Sequence, residues 1–205
     1  MSLAFEENER RFEAAIRRFD EENSQDPNKR EVGGTLHPFE FLYAQWLTAW
    51  VLGLEPGASE PLKLAARCQH LCRWQIPRDS YPMTRVGYLQ WREALKKFHA
   101  NKSGEILRDV GYSENVIARV QDLVLKKNFP NDPEGRVLED ALCLVFLEHQ
   151  LDELAAKNKE EKIVSVLQKT WKKMSDKARE AALGLSYRER EKHLLERALG
   201  GGLKL

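Results

Sequence analysis

Apolar residues recur at intervals of three and four along almost the whole chain and nowhere alternate with polar ones for more than a few positions. That period confines the chain to packed helices, because a strand half-buried in a sheet requires a period of two. The 205 residues suffice for one domain, and a chain of this size buries roughly 70% of the surface its unfolded form exposes. The expected fold is therefore all-α: a single compact domain of eight or nine helices over residues 1–199, without a sheet. Gly200-Gly201-Gly202 opens a flexible tail at 200–205.

Phe5, Phe12, Ile16 and Phe19 mark the inner face of a first helix, which the turn-forming run Asn23-Ser24-Gln25-Asp26-Pro27-Asn28 should end. A loop through Gly33-Gly34 leads to a helix over about 38–54, begun by Pro38 and apolar on most sides. Ser59 caps a third, small-residue helix that reads as buried to about Trp74. Further helices are expected over 87–110 (one long or two short), 113–128, 134–156, 159–173 and 175–199. Lys173-Met174-Ser175 is similar to a loop of class I aminoacyl-tRNA synthetases, but that motif needs a parallel-sheet nucleotide fold, and Ser175 reads better as a helix cap.

Charge and cysteine content exclude several classes of function. Lys and Arg number 33 against 32 Asp and Glu, so the net charge of +1 does not support binding to nucleic acid or an anionic membrane through bulk charge. No run approaches the ~20 apolar residues of a membrane span, and charge begins at Glu6, unlike a signal peptide; a cytoplasmic location is expected. Cys68, Cys72 and Cys143 sit in apolar surroundings without zinc-type spacing and read as small reduced core residues.

The informative residues are the polar ones in apolar runs. His70 falls inside the third helix, and a buried imidazole needs a partner: either a backbone carbonyl or a ligand. Arg73 is i+3 from it, so helix geometry puts an imidazole and a guanidinium on one side. His37 and Glu40 flank the start of the second helix and have donors suited to a metal. His99 lies beside Lys97. Glu139 and Asp140 interrupt an apolar helix, where they either complement the helix dipole or bind a ligand. Trp74, beside Arg73, either packs in the core or stacks on a ring.

The series His37, His70, His99, Asp140 resembles the HD superfamily of metal-dependent phosphohydrolases. Leu64 to Trp74 is similar to that superfamily's helix with its His-Asp pair, Phe98 to Leu107 to a later His segment, and Leu138 to Leu142 to its closing acidic segment. The resemblance implies a divalent metal ion (Mn, Fe, Zn, Co or Mg) held by His37, His70 and Asp140, with Glu40 as a further carboxylate. It implies phosphate oxygens met by Arg73, Lys97, Lys126 and Lys127, and His99 as base, acid or ligand. Leu71 stands where that superfamily has its metal-bridging aspartate, so Glu40 would have to substitute. The expected activity is hydrolysis of a nucleotide or small phosphorylated metabolite; the alternative is a non-catalytic module holding an anionic ligand or protein partner at a degenerate metal site. More closely, residues 11–185 resemble a family known as domain of unknown function 4202, through Ala66 to Trp74, Pro77 to Pro82, Leu138 to His149 and Lys169 to Ser175. That family implies no activity.

Overall fold

The computed structural model describes residues 3–200; the tail expected over 200–205 lies outside them from residue 201 onward. Ten α-helices and one β-hairpin succeed one another along the described chain, so the expectation of a helical fold holds and that of no sheet is corrected. The elements are α1 (Leu3–Asn23), β1 (Lys29–Val32), β2 (Thr35–Pro38), α2 (Phe39–Leu54), α3 (Glu60–Cys68), α4 (Arg85–Asp109) and α5 (Glu114–Leu125). They continue as α6 (Pro133–His149), α7 (Leu151–Ala156), α8 (Glu160–Lys173), α9 (Asp176–Leu183) and α10 (Glu189–Leu199). Single turns of 3-10 helix at Arg73–Gln75 and Arg78–Ser80 link α3 to α4.

β1 and β2 pair antiparallel, with Val32 opposite Thr35 and Arg30 opposite His37. Gly33 (φ +59°) and Gly34 (φ +80°) form the turn, a left-handed pair that matches the twist of the flanking strands. The hairpin leaves Val32 and Leu36 exposed, so it lacks a buried face and hence the alternation by which strands are recognised.

α2 begins where side chains of the preceding loop make it begin. Pro38 at its N-cap offers no side-chain acceptor. Asp26, fully buried, supplies one instead: Glu40 N–H donates to its Oδ2 at 3.0 Å, and Asn28 donates to its Oδ1 through both backbone and side chain. Elsewhere the caps are local. Ser59 Oγ accepts from Leu62 N–H, Asp132 from the Glu134 and Gly135 N–H groups, and Ser175 Oγ from Ala178 N–H, each satisfying an amide that the first helical turn leaves free. Ser113 occupies the cap position of α5 without a side-chain bond.

Three expected helices are shorter than their apolar patterns. α3 stops at Cys68 rather than continuing to Trp74; the stretch expected over 134–156 breaks at Gln150, and that over 175–199 at Gly184–Arg188. Phe5 is 56% exposed, so the inner face of α1 starts at Phe12. One core cluster runs from Ala15 in α1 to Ala198 in α10, with Phe19, Leu47, Leu64, Leu71, Leu107, Val124 and Leu144 fully buried. In it α2 packs on α3 and α6, α3 on α5, and α4 on α5. All three cysteines are buried and unpaired.

The segment between α3 and α4 is clamped. Arg78 donates to the carbonyls of Tyr81, Pro82 and Thr84, Trp91 Nε1 donates to Ile76 O at 2.9 Å, and a Cβ at Gly87 would lie 2.1 Å from Pro82 O. A backbone carbonyl cannot yield as a flexible side chain can. Gly87→Ala is expected to destabilise by about 2–4 kcal/mol. Gly53→Ala, at a helical site where nothing lies within 4 Å, should be neutral or stabilising by up to about 1 kcal/mol. Urea unfolding of the two variants checks the contrast.

Candidate functional site

The site is built on a turn rather than on a helix. Past Cys68 the backbone leaves α3, and Cys72 takes a left-handed conformation (φ +54°, ψ +32°), which a residue with a Cβ adopts only when its surroundings hold it there. Two bonds do so. Asn23 Oδ1 at the end of α1 accepts from Cys72 N–H at 3.1 Å, and His99 Nδ1 on α4 lies 2.8 Å from Leu71 O. Both partners are buried. His70 and Arg73 therefore do not share a helix face as their spacing predicts; the turn swings both toward Glu40 on α2.

His70 Nδ1 lies 3.5 Å from Glu40 Oε2, and Arg73 Nε lies 3.6 Å from Glu40 Oε1. Tyr43, one turn beyond Glu40, stacks on the His70 ring at 4.2 Å, and the His99 ring lies 5.8 Å from it. The Arg73 guanidinium covers the Trp91 ring at 4.7 Å. Glu40 Oε2, His70 Nδ1 and His99 Nε2 are all buried without a hydrogen-bond partner. The cluster nevertheless has an open side, since the His70 and Arg73 side chains keep 22% and 29% of their surface.

Burial dominates the electrostatics. It raises the Glu40 carboxyl to about 8, with Arg73 opposing and Asp26 assisting. It lowers His99 to about 4, although the bond to Leu71 opposes this. It also lowers His70 well below its usual range, assisted by the positive charge of Arg73 and by His99, Arg92 and Lys126. Near neutrality the centre therefore holds two neutral imidazoles and a largely protonated carboxyl among fixed cations.

The residues expected to form a site divide into two groups. Glu40, His70, Arg73 and His99 come together, with Lys126 close enough for its charge to act on His70. The Lys126 ammonium pairs with Glu139, which also accepts from Lys173 at 3.2 Å. Burial opposes ionisation of Glu139, but these two ammonium groups outweigh it and hold the carboxyl below its usual range. The remaining residues are engaged elsewhere. His37 lies on β2, paired with Arg30 in the strand register. Asp140 Oδ1 accepts from Ser175 N–H at 2.9 Å. Lys97 is exposed on α4 beside Glu93, and Lys127 is exposed beside Asp122. Trp74 packs against the core. Among the described residues no group of three or more His, Cys, Asp or Glu side chains is arranged to hold a metal ion. Tyr43 and Trp91 complete the site, although no motif marks them for it, and the charge of the exposed Arg92 reaches His70. The signal that could find them is spacing: Tyr43 is i+3 from Glu40, and Trp91 is two turns before His99 on α4.

These shifts have opposite consequences for stability. An acid whose folded value is raised from 4.5 to about 8 loses stability as pH rises through that window. The histidines, lowered from 6.5, lose it as pH falls below 6.5. Stability should therefore peak near pH 6.5. Glu40→Gln should gain on the wild type by roughly 2–4 kcal/mol between pH 5 and pH 8.5, because each step of one pH unit inside the window costs the ionisable side chain about 1.4 kcal/mol. Denaturant titrations at the two pH values measure the difference.

Comparison with curated proteins and with solved structures gives no match in either case. A protein family does match, over residues 13–195, a span from the middle of α1 to the middle of α10 that contains every residue of the cluster. By that match the chain belongs to the family described as Domain of unknown function (DUF4202).

Proposed function

We propose that the protein binds a small phosphorylated molecule or nucleotide at the corner formed by Glu40, His70, Arg73 and His99. The observation that carries this reading is a buried pair, Glu40 Oε2 and His70 Nδ1 at 3.5 Å, next to a His99 ring whose Nε2 is buried without a partner, beside a guanidinium that stacks on Trp91. Buried polar groups without partners are rare in folded proteins, and a bound ligand is one way in which they are satisfied. The carboxyl nearest Arg73 stays largely uncharged at neutral pH, so it does not cancel the attraction of Arg73 for an anion. Arg73 offers a planar fork for phosphate oxygens, the geometry in which arginine surpasses lysine.

A second reading, metal-dependent hydrolysis of that ligand, is favoured by the contact between Glu40 and His70, two of the four ligands expected from the HD resemblance. The other two do not fit it. Asp140 is bonded to Ser175 N–H and His37 lies on the hairpin, so no hydrolytic step is derived through a metal.

Calorimetric titration with AMP and with inorganic phosphate, in the presence of EDTA, tests the binding reading. Binding should persist under chelation, and Arg73→Gln should weaken it by about tenfold or more, the loss of one charge-assisted contact. Absence of binding to both probes, or no effect of Arg73→Gln, refutes it. Elemental analysis of the purified protein and a phosphate-release screen test the second reading, which predicts bound metal and turnover that both fall in His70→Ala.

A further inference from the structure

We infer that the phosphate group taken at this site is bound in a form that keeps one oxygen-bound proton, and that His99 Nε2 accepts the hydrogen bond from that P–OH. The inference rests on the anion-binding reading above and narrows it to a class of anion.

The bond that closes the turn decides where the imidazole carries its hydrogen. His99 Nδ1 lies 2.8 Å from Leu71 O, and a carbonyl oxygen can only accept, so Nδ1 is the protonated nitrogen. A neutral imidazole protonated at Nδ1 has a bare lone pair at Nε2. That atom is buried with no partner, on a ring only 2% exposed. Burial holds the ring to about 4, so near neutral pH Nε2 remains an acceptor. The His70 ring lies 5.8 Å from the His99 ring and the charge of Arg73 acts on it; beyond His70 stand Glu40 and Tyr43 of α2.

An anion drawn in by Arg73, whose charge acts on the His99 ring, is offered this lone pair. Sulfate carries no proton near neutrality and would set oxygen lone pairs against Nε2, leaving a buried acceptor opposed by another. Hydrogenphosphate has nearly the same size and the same charge, and it turns its P–OH toward Nε2, satisfying both groups. Arg73 makes the site a receptor for anions, and the bare Nε2 of His99, fixed by the bond at Nδ1, decides between anions of equal charge.

The test is calorimetric titration of the full chain with inorganic phosphate and with sulfate at about pH 7.5 and matched ionic strength, with ¹⁵N histidine spectra of the free and phosphate-bound protein. Phosphate should bind about 10- to 100-fold more tightly than sulfate, the cost of one unsatisfied buried acceptor. The free protein should show His99 protonated at Nδ1 only, with the Nε2 resonance shifting when phosphate is added. His99→Phe should bring the two affinities together. Should that variant fail to fold, the wild-type spectra and the two wild-type affinities still decide. Equal affinity for the two anions, or a proton on Nε2 in the free protein, overturns the inference and leaves the anion site standing. Failure of both anions to bind overturns the inference together with the reading beneath it.

Discussion

The backbone polar groups of residues 71 and 72 leave helical geometry inside the core, and everything at the site follows from how they are satisfied. A buried carbonyl and amide without partners would cost as much as the turn gains in packing. Leu71 O takes its partner from α4 and Cys72 N–H takes one from the end of α1, so two helices distant in sequence are tied to the same turn. The bond that closes the turn also sets the His99 tautomer. His99 is thus a structural residue at one nitrogen and an unused one at the other, and a single hydrogen bond accounts for both.

Asp26 plays the corresponding part for the opposite wall. By accepting from Glu40 N–H it starts α2 where proline cannot cap it, and its negative charge adds to the burial that keeps Glu40 protonated. Elsewhere charge is balanced locally: Arg67 is bound by Asp20 through two bonds of 2.6 Å, Arg119 by Asp132 and Glu134, and Glu139 by Lys126 and Lys173. A total of +1 therefore conceals a place where positive charge is incompletely answered. Lys126 bridges the two regimes. It is paired to Glu139, yet its charge reaches His70, so Glu139 fixes where that charge stands.

The helices were legible where a local rule governs them. Ser59 and Ser175 announce α3 and α9 because a hydroxyl before an apolar run satisfies the first-turn amides wherever the helix packs. The hairpin was not, since a two-stranded ribbon with Val32 and Leu36 in solvent has no buried face to impose a period of two; Gly33-Gly34 was its only mark. The end of α3 was hidden because Leu71 and Cys72 remain apolar and fully buried past the last helical residue, and no composition marks a left-handed cysteine. Glu40, His70, Arg73 and His99 each stood out as polar groups in apolar runs, but their assembly depends on that turn. Asp140 shows the limit of the same signal: an acid in an apolar helix suits a ligand site and equally suits capping a neighbouring helix, and here its Oδ1 accepts from the Ser175 N–H at the start of α9.

Leu71 sharpens what kind of site this is. In the HD resemblance its position belongs to a metal-bridging aspartate; here the side chain is fully buried and the position contributes its carbonyl, to His99. The carboxylate nearest His70 comes from α2 instead and is largely protonated near neutrality. The two possible occupants therefore couple to protons in opposite senses. A divalent ion favours the ionised form of Glu40 and expels its proton, as metal sites generally do. An anion beside Arg73 favours the protonated form, and in the proposed complex its P–OH supplies the hydrogen that His99 Nε2 lacks. A centre of two neutral imidazoles and a largely protonated carboxyl, with Arg73 beside it, is already in the protonation state an anion prefers and would have to be reset for a metal. The free-energy cost of that resetting falls on the cation, and this is the physical ground on which a phosphate is proposed here ahead of a metal ion.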